Sequence, residues 1–261
     1  MRGREDRLDY IDAYLENIIS VIKEAQITQR DALLSGARIL ADATIADNNI
    51  FAFGCSHAGL LALELYYRTG GMATINPIRA PGLCLDVDPA TLTSQIERLD
   101  KYGTHIADMF PIRQNDAVII HSVSGRNNVA IDFAISVREK GAKVIALTNM
   151  KTTTVQPSRH PSGKNLYEVA DIVIDNCGCM GDSSMDIPGV PEKVGPTSTA
   201  AGAALLNAMV VQAVSLIAES GMTPPVFMSA NVEGGDEHNK EVLRKYQRNI
   251  FYMGIQRGEE I

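Results

Sequence analysis

Apolar residues fall at Leu8, Ile11, Leu15, Ile18 and Ile22, and again at Leu33, Ala37 and Leu40. Spacings of three and four place each set on one helical face. The pattern predicts two helices over the first fifty residues, broken at Gln26-Ile27-Thr28, with Thr28 as N-cap of the second because a threonine hydroxyl accepts a free first-turn N–H. From Asn49 the pattern changes. Compact apolar runs at 50–53, 73–78, 117–122, 143–147 and 172–174 have strand length and little polar alternation, as strands covered on both faces do. Helices are predicted between them at 57–69, at 91–101 or a little beyond, and at 127–140, the last stopped by Gly141. Strands alternating with helices build a parallel sheet between helical layers.

Residues 176–196 contain Gly178, Gly181, Pro188, Gly189, Pro191, Gly195 and Pro196 and are expected to form a long irregular loop, a length common in functional loops. Residues 199–218 are almost wholly small or apolar and long enough to span a membrane. Asn207, Gln212 and Ser215 interrupt them, so a helix over about 197–219 buried in the protein or a subunit interface is expected. After Pro224-Pro225 a polar helix is predicted over about 236–249. The expected fold is a three-layer α/β/α sandwich around a mostly parallel five-stranded sheet. A helical pair at 1–48 serves packing or dimerisation within the same domain, and 49–261 form the α/β body with C-terminal helices.

Composition narrows the function. The 261 residues are 45% hydrophobic and 21% charged, enough apolar material for a substantial core. The net charge of -7 has the wrong sign for broad neutralisation of nucleic-acid phosphates. The N-terminal pair is no exception, with six Lys/Arg against nine Asp/Glu in residues 1–48, so DNA reading is not expected of it. Cys55, Cys84, Cys177 and Cys179 form neither a disulfide framework nor the paired CxxC units of a zinc ribbon. Arg2, Arg4, Glu5, Asp6 and Arg7 precede no apolar stretch, which argues against a secretory signal and for the cytoplasm.

In an open parallel sheet, ligands sit beyond the carboxyl ends of the strands. Two turns there lead from a predicted strand into a helix: Phe53-Gly54-Cys55-Ser56-His57-Ala58-Gly59 and His121-Ser122-Val123-Ser124-Gly125-Arg126-Asn127-Asn128. Neither is a GxGxxG fingerprint or a P-loop. Serines and asparagines at helix starts are common N-caps. Two such turns, with Thr197-Ser198-Thr199 opening the apolar helix, would let three hydroxyl-rich helix starts converge on one phosphate-sized anion.

The segment Ser122-Val123-Ser124-Gly125-Arg126-Asn127, followed by a helix and Gly141-Ala142-Lys143-Val144-Ile145-Ala146-Leu147-Thr148, resembles the core of the sugar isomerase (SIS) domain. Phe53 to His57, Glu64-Leu65-Tyr66-Tyr67-Arg68 with Gly70-Gly71, and the run from Ser229 to Asn239 are similar to a bacterial branch of single-domain SIS proteins. The resemblance covers nearly the whole chain. It implies a homodimer or homotetramer that binds a phosphorylated sugar, or a sugar with another terminal anion such as a sulfonate, without metal or organic cofactor. It further implies that Ser122, Ser124 and Asn127 hold the phosphate, with Ser56 from the first turn and help from Thr197 and Ser198.

Aldose–ketose isomerisation moves a proton between adjacent carbons through an enediol and needs a carboxylate base and a ring-opening group. Glu64, seven residues after His57, lies two helical turns further along the same predicted face. The resemblance makes Glu64 the base, while helix geometry alone makes it a partner for Arg68 at i+4. Related isomerases carry a ring-opening histidine in a Ser-His-Pro-Gly-Gly segment. Here the run is Ser229-Ala230-Asn231-Val232-Glu233-Gly234-Gly235, with Asn231, a candidate substrate contact, at the histidine position. His238 then becomes a candidate for ring opening and Glu237 a second candidate base. Without the resemblance, Gly234-Gly235 and Asp236 read as a turn and a helix N-cap.

Cys177-Gly178-Cys179 with Asp182 and Asp186 has no specific metal spacing. Of His105, His121 and His160, only His121 ends a predicted strand near the site. Two other functions fit the same residues: a lyase that eliminates an ether substituent beside the carbonyl, and a non-catalytic sugar-phosphate sensor.

Overall fold

The computed structural model describes residues 9–253; Leu8 and the charged segment before it lie outside them. Helix α1 (Tyr10–Thr28) starts at Asp9, whose carboxylate accepts the N–H groups of Ile11 and Asp12, and α2 (Arg30–Ile45) follows after one residue. The joint differs from the expected one. Thr28 donates its hydroxyl to the Glu24 carbonyl at 2.9 Å, so it ends α1, and Gln29 is the residue between the helices. Only the C-terminal part of the expected apolar stripe of α1 meets the core: Ile22 packs there beside buried Val21 and Ala25, whereas Ile11 is 72% and Leu15 52% exposed in the single chain. Helix α2 follows the prediction, burying Ala37 and Leu40.

Five strands form the main sheet: β1 (Ile50–Gly54), β2 (Ile75–Pro77), β3 (Ala117–His121), β4 (Lys143–Thr148) and β5 (Ile172–Asp175). Their order is β2-β1-β3-β4-β5, and every pairing is parallel. Successive side chains alternate between two cores, as strand geometry requires. Ile50, Ala52, Ile119, Ile145 and Leu147 face the layer of α1 and α2. Phe51, Phe53, Val118, Ile120, Val144 and Ala146 face the other layer, where α5 (Tyr102–Met109) packs on α6 (Asn128–Glu139). This is the three-layer α/β/α sandwich expected.

The crossovers depart from prediction in three places. Helix α3 (Gly59–Leu65) ends at Leu65, four residues early, because Tyr67 and Gly70 take positive φ and the Gly70 N–H leaves for the Phe227 carbonyl. The predicted helix at 91–101 is the short α4 (Leu92–Ile96), with left-handed Lys101 (φ 64°) separating it from α5. Two single-turn helices, α7 (Met150–Thr153) and α8 (Leu166–Val169), lie in the β4–β5 crossover.

The expected irregular loop contains an antiparallel hairpin, β6 (Ser183–Met185) with β7 (Val194–Pro196). It leads into α9 (Ser198–Glu219). Though long and apolar enough to cross a membrane, α9 buries Ala201, Leu205, Leu206, Met209, Ala213 and Ile217 in the first core and packs on α1, α2 and α3. The last helix, α10 (Gly235–Tyr246), packs Val242 and Tyr246 with Ala73 just ahead of β2, and the segment after it is tied to the amino-terminal edge of the sheet: Asn249 donates to the Asp47 carbonyl, and Tyr252 to the Ala73 carbonyl.

Candidate functional site

The sheet order reverses between β1 and β3, so chains leaving those strands diverge and open a crevice at their carboxyl ends. Both predicted serine turns lie there, because β1 and β3 are neighbours in register, Gly54 opposite His121. The first turn is tight. A Cβ at Gly54 would stand 2.5 Å from the Ala58 carbonyl oxygen, so only glycine lets the strand turn this closely. Ser56 takes φ 53° and donates its N–H to the Leu83 carbonyl at 2.8 Å. Its hydroxyl is buried and has no hydrogen-bond partner among the described residues. His57 beside it is exposed.

The second turn is held from several sides. The Ser122 hydroxyl accepts the Gly125 N–H at 3.3 Å, the Thr148 hydroxyl donates to the Val123 carbonyl at 3.2 Å, and Leu166 N–H donates to the Gly125 carbonyl at 2.7 Å. Ser124 is half-buried at its crest. Asn127 precedes α6 without capping it. Its amide oxygen instead accepts Arg159 Nη1 at 2.7 Å, and its side chain also hydrogen-bonds Glu97.

His121, the last residue of β3, was legible only as a histidine ending a strand. It is 2% exposed. Its Nδ1–H donates to the Ala58 carbonyl at 3.0 Å, which ties β3 to the first turn and leaves Nε2 as an acceptor, buried without a partner among the described residues. Burial lowers its pKa to about 4, against the opposing pull of the Ala58 carbonyl and Asp182, so the ring is neutral at pH 7. At Cys55, in the first turn, burial, with Glu97 and Cys84 adding, pushes the thiol far above the ordinary range.

The third hydroxyl-rich helix start is already satisfied. The Asp182 carboxylate accepts Thr197 N–H at 3.1 Å, Thr197 hydroxyl at 3.2 Å, Ser198 N–H at 2.8 Å and Ser198 hydroxyl at 2.6 Å. An internal carboxylate therefore stands where a ligand anion was expected to recruit these hydroxyls. The neighbouring cysteines turn elsewhere: Cys177 Sγ meets the Thr28 hydroxyl at 3.5 Å, and Cys179 Sγ the Ser183 carbonyl at 3.1 Å.

The candidate acid–base residues are spread out. Glu64 forms the i+4 ion pair with Arg68 and accepts Asn207 Nδ2 from α9 at 3.2 Å, so the helix-geometry partner is realised. His238, half-buried, has Nε2 2.9 Å from the Val226 carbonyl. Val226 bridges to Met72, just ahead of β2, at the amino end of the sheet. Glu237 and Asn231 are exposed on the same segment, where Asn231 N–H donates to the Ser229 hydroxyl at 3.2 Å. A five-residue strand rising about 3.3 Å per residue puts roughly 16 Å between the two edges. Within one chain these three residues do not meet the serine turns.

Sequence reasoning did not single out Arg98, Arg159 or Glu97, which join Asn127 at the start of α6. The adjacent Glu97 and Arg98 come from the β2–β3 crossover and Arg159 from the β4–β5 crossover, so no local pattern links the pair to the third.

Comparison with known proteins gives the chain relatives. The family model described as the SIS domain matches residues 13–149. A UPF0309 protein of Shouchella clausii is 41% identical over 246 residues, covering 94% of this chain and 100% of that protein. One from Streptomyces coelicolor is 36% identical over 240 residues, covering 92% and 96%. Among solved structures, a phosphoheptose isomerase from Francisella tularensis aligns over 81% of this chain and 98% of its own, at 18% identity and a TM-score of 0.49. With the match running through α1 to the end of β4 and so through both serine turns, the chain belongs to the SIS-domain family.

Proposed function

We propose that the crevice between β1 and β3 binds a phosphorylated sugar and that the protein interconverts its aldose and ketose forms. The observation that carries the reading is the pair of serine turns facing one another at the switch point, Ser56 on one and Ser122 and Ser124 on the other, in a chain of the SIS family. The orphaned, buried Ser56 hydroxyl supports it, since a buried hydroxyl without a partner is costly unless something arrives to bond it.

In this reading Glu64 is the base. Its carboxylate takes the proton from C2 of the open-chain aldose; the C2 electron pair forms the enediol double bond, and the carbonyl oxygen O1 gains a proton. Returning a proton to C1 while O2 loses its own gives the ketose, with atoms and charge conserved. His57, at the mouth of the first turn, is the ring-opening candidate within the same chain. His238, Glu237 and Asn231 would serve only from a neighbouring copy in a homodimer or homotetramer, given their place at the far edge. Thr197 and Ser198 enter as supports for the loop through Asp182.

Incubation in D₂O with pentose, hexose, heptose and amino-sugar phosphates and sulfonated hexoses, followed by NMR of the C2 proton, tests the reading. Exchange with appearance of the partner sugar, lost in Glu64→Gln while binding persists, is expected. Binding without exchange across the panel would favour a sensor, the reading that the Glu64–Arg68 ion pair supports. Release of the substituent from a sugar phosphate with an ether beside the carbonyl, added to the panel, would identify a lyase.

A further inference from the structure

Three arginines from three segments meet around the start of α6. Arg126 follows the second serine turn, Arg159 lies in the loop after α7, and Arg98 follows α4. Arg159 N–H donates to the Arg126 carbonyl at 2.9 Å, and Arg159 Nη1 donates to Asn127 Oδ1 at 2.7 Å. The Val129 N–H, in the first turn of α6, donates to the Glu97 carbonyl at 3.2 Å, which brings Arg98 to the same helix start. Arg126 Nη1 is held by Gln156 Oε1 at 2.9 Å, but its Nε is buried without a partner among the described residues.

One carboxylate, Glu97, lies among the arginines, feeling Arg98 and Arg159 as well as the Asn127 side chain, so three cations face one anion. The other two acidic groups nearby are engaged elsewhere: Asp100 accepts the Asn128 amide, and Asp132 accepts His160 Nε2 at 2.8 Å. Desolvation, with Arg126 and Arg98, pulls the Arg159 guanidinium below its ordinary range against the opposing Glu97 carboxylate, and burial pushes the Glu97 carboxyl up against the opposing Arg98, Asn127 and Arg159. Like charges gathered at one edge of a chain with net charge -7 break the usual surface rule, as proteins do at functional sites.

The cluster and the serine turn flank the α6 start from two sides. Asn127 divides them, its amide oxygen committed to Arg159, and the Glu97 carbonyl closes a first-turn N–H between them. Ser124 and Arg126 are two residues apart, a separation of at most about 7 Å, so one small ligand can reach both. We propose that Arg98, Arg126 and Arg159 bind a second anionic group of the ligand, so that the substrate is a phosphorylated sugar also carrying a carboxylate or a second phosphate. Planar guanidinium forks suit either group. The proposal rests on the sugar-phosphate reading of the Ser122–Ser124 turn.

Calorimetric titration of the full chain with fructose 6-phosphate, fructose 1,6-bisphosphate and 6-phosphogluconate tests it in wild type, R159Q and R126Q/R159Q. The doubly anionic sugars are expected to bind about tenfold or more tightly than the monophosphate. The bisphosphate and the phosphogluconate arms show which second anion is taken. In R126Q/R159Q that affinity ratio should fall close to one, with the unliganded melting curve as the control for folding; exposed Arg159 makes R159Q the safer variant if the pair fails to fold. Equal affinities in wild type would overturn the second anion site while leaving sugar-phosphate binding intact. An unchanged ratio with both affinities reduced would instead assign the arginines to the single phosphate. Failure of every phosphorylated sugar to bind would remove both readings together.

Discussion

Replacing Asp182 tests whether a carboxylate from the 176–196 loop holds the start of α9. Four donors converge on it, from Thr197 and Ser198, and Thr197 is 0% exposed, so no solvent replaces what the substitution removes. A buried polar group left unpaired costs about 1–3 kcal/mol, and loss of a negative charge at a helix N-terminus about 0.3–2 kcal/mol more. Because the bonds form one network, the total for Asp182→Ala is expected near 3–5 kcal/mol. Asp182 also has φ 68°, where a β-carbon costs roughly 1–2 kcal/mol outside glycine, asparagine and aspartate. Asp182→Gly removes the carboxylate without that strain, and Asp182→Asn keeps an oxygen acceptor and tolerates the backbone. The expected order of stability is therefore wild type, Asn, Gly, Ala. At about 2–4 °C per kcal/mol for a chain of this size, Asp182→Ala should lower the Tm by roughly 6–20 °C and Asp182→Asn by no more than about 6 °C. Thermal melts by circular dichroism, with urea titrations at 25 °C, read this directly. An Asp182→Ala protein melting within about 2 °C of wild type would refute the reasoning, because it would mean that the α9 start has no need of the carboxylate.

Other outcomes follow from single residues. His121 has a pKa of about 4 when folded against 6.5 otherwise, so the unfolded chain binds the extra proton. Its contribution is fully present above pH 6.5 and is lost as pH falls towards 4, amounting to about 2 kcal/mol by pH 5; urea titrations at pH 7 and pH 5 should show a smaller loss in His121→Asn, and equal slopes would sink the assignment. Gly125→Ala places a Cβ 2.7 Å from the Thr153 hydroxyl oxygen at φ +62°, and should cost about 2–3 kcal/mol and weaken sugar-phosphate binding, which a titration of the folded variant checks. Asp116 is 0% exposed and accepts the Asn49 and Arg113 N–H groups at 2.8 and 2.9 Å at the amino edge of the sheet. Asp116→Ala should therefore cost about 3–5 kcal/mol in stability yet leave ligand affinity near wild type below its melting point.

Much of the frame can be read in one dimension. A short, largely apolar run of three to six residues bounded by turn residues specifies a buried strand whatever its neighbours are, so all five sheet strands were legible, and so were α6 and α9. The two serine turns were legible for the same reason, each being the local junction of a strand and a helix. What failed locally was the interruption of periodicity by backbone choices made elsewhere. The helix predicted at 91–101 ends at Ile96, with left-handed Lys101 (φ 64°) standing before α5, and Gly70 gives its N–H to Phe227 from the other end of the chain.

The sequence by itself determined the alternation of strands and helices, the small apolar helix and the turns that carry the hydroxyls, because each depends on residues within a few positions of one another. Only the tertiary structure decided the partners of those turns. Asp182 reaches Thr197 across 15 positions, Arg159 reaches Asn127 across 32, and Asn207 reaches Glu64 across 143. It also set His238 at the amino edge, about one strand length from the serines. Hydrogen bonds and charge act over a few ångströms of space, and separation along the chain says little about which groups come that close. The physical reason is the sheet itself, whose parallel register brings the ends of distant strands to one edge and leaves the C-terminal helix at the other.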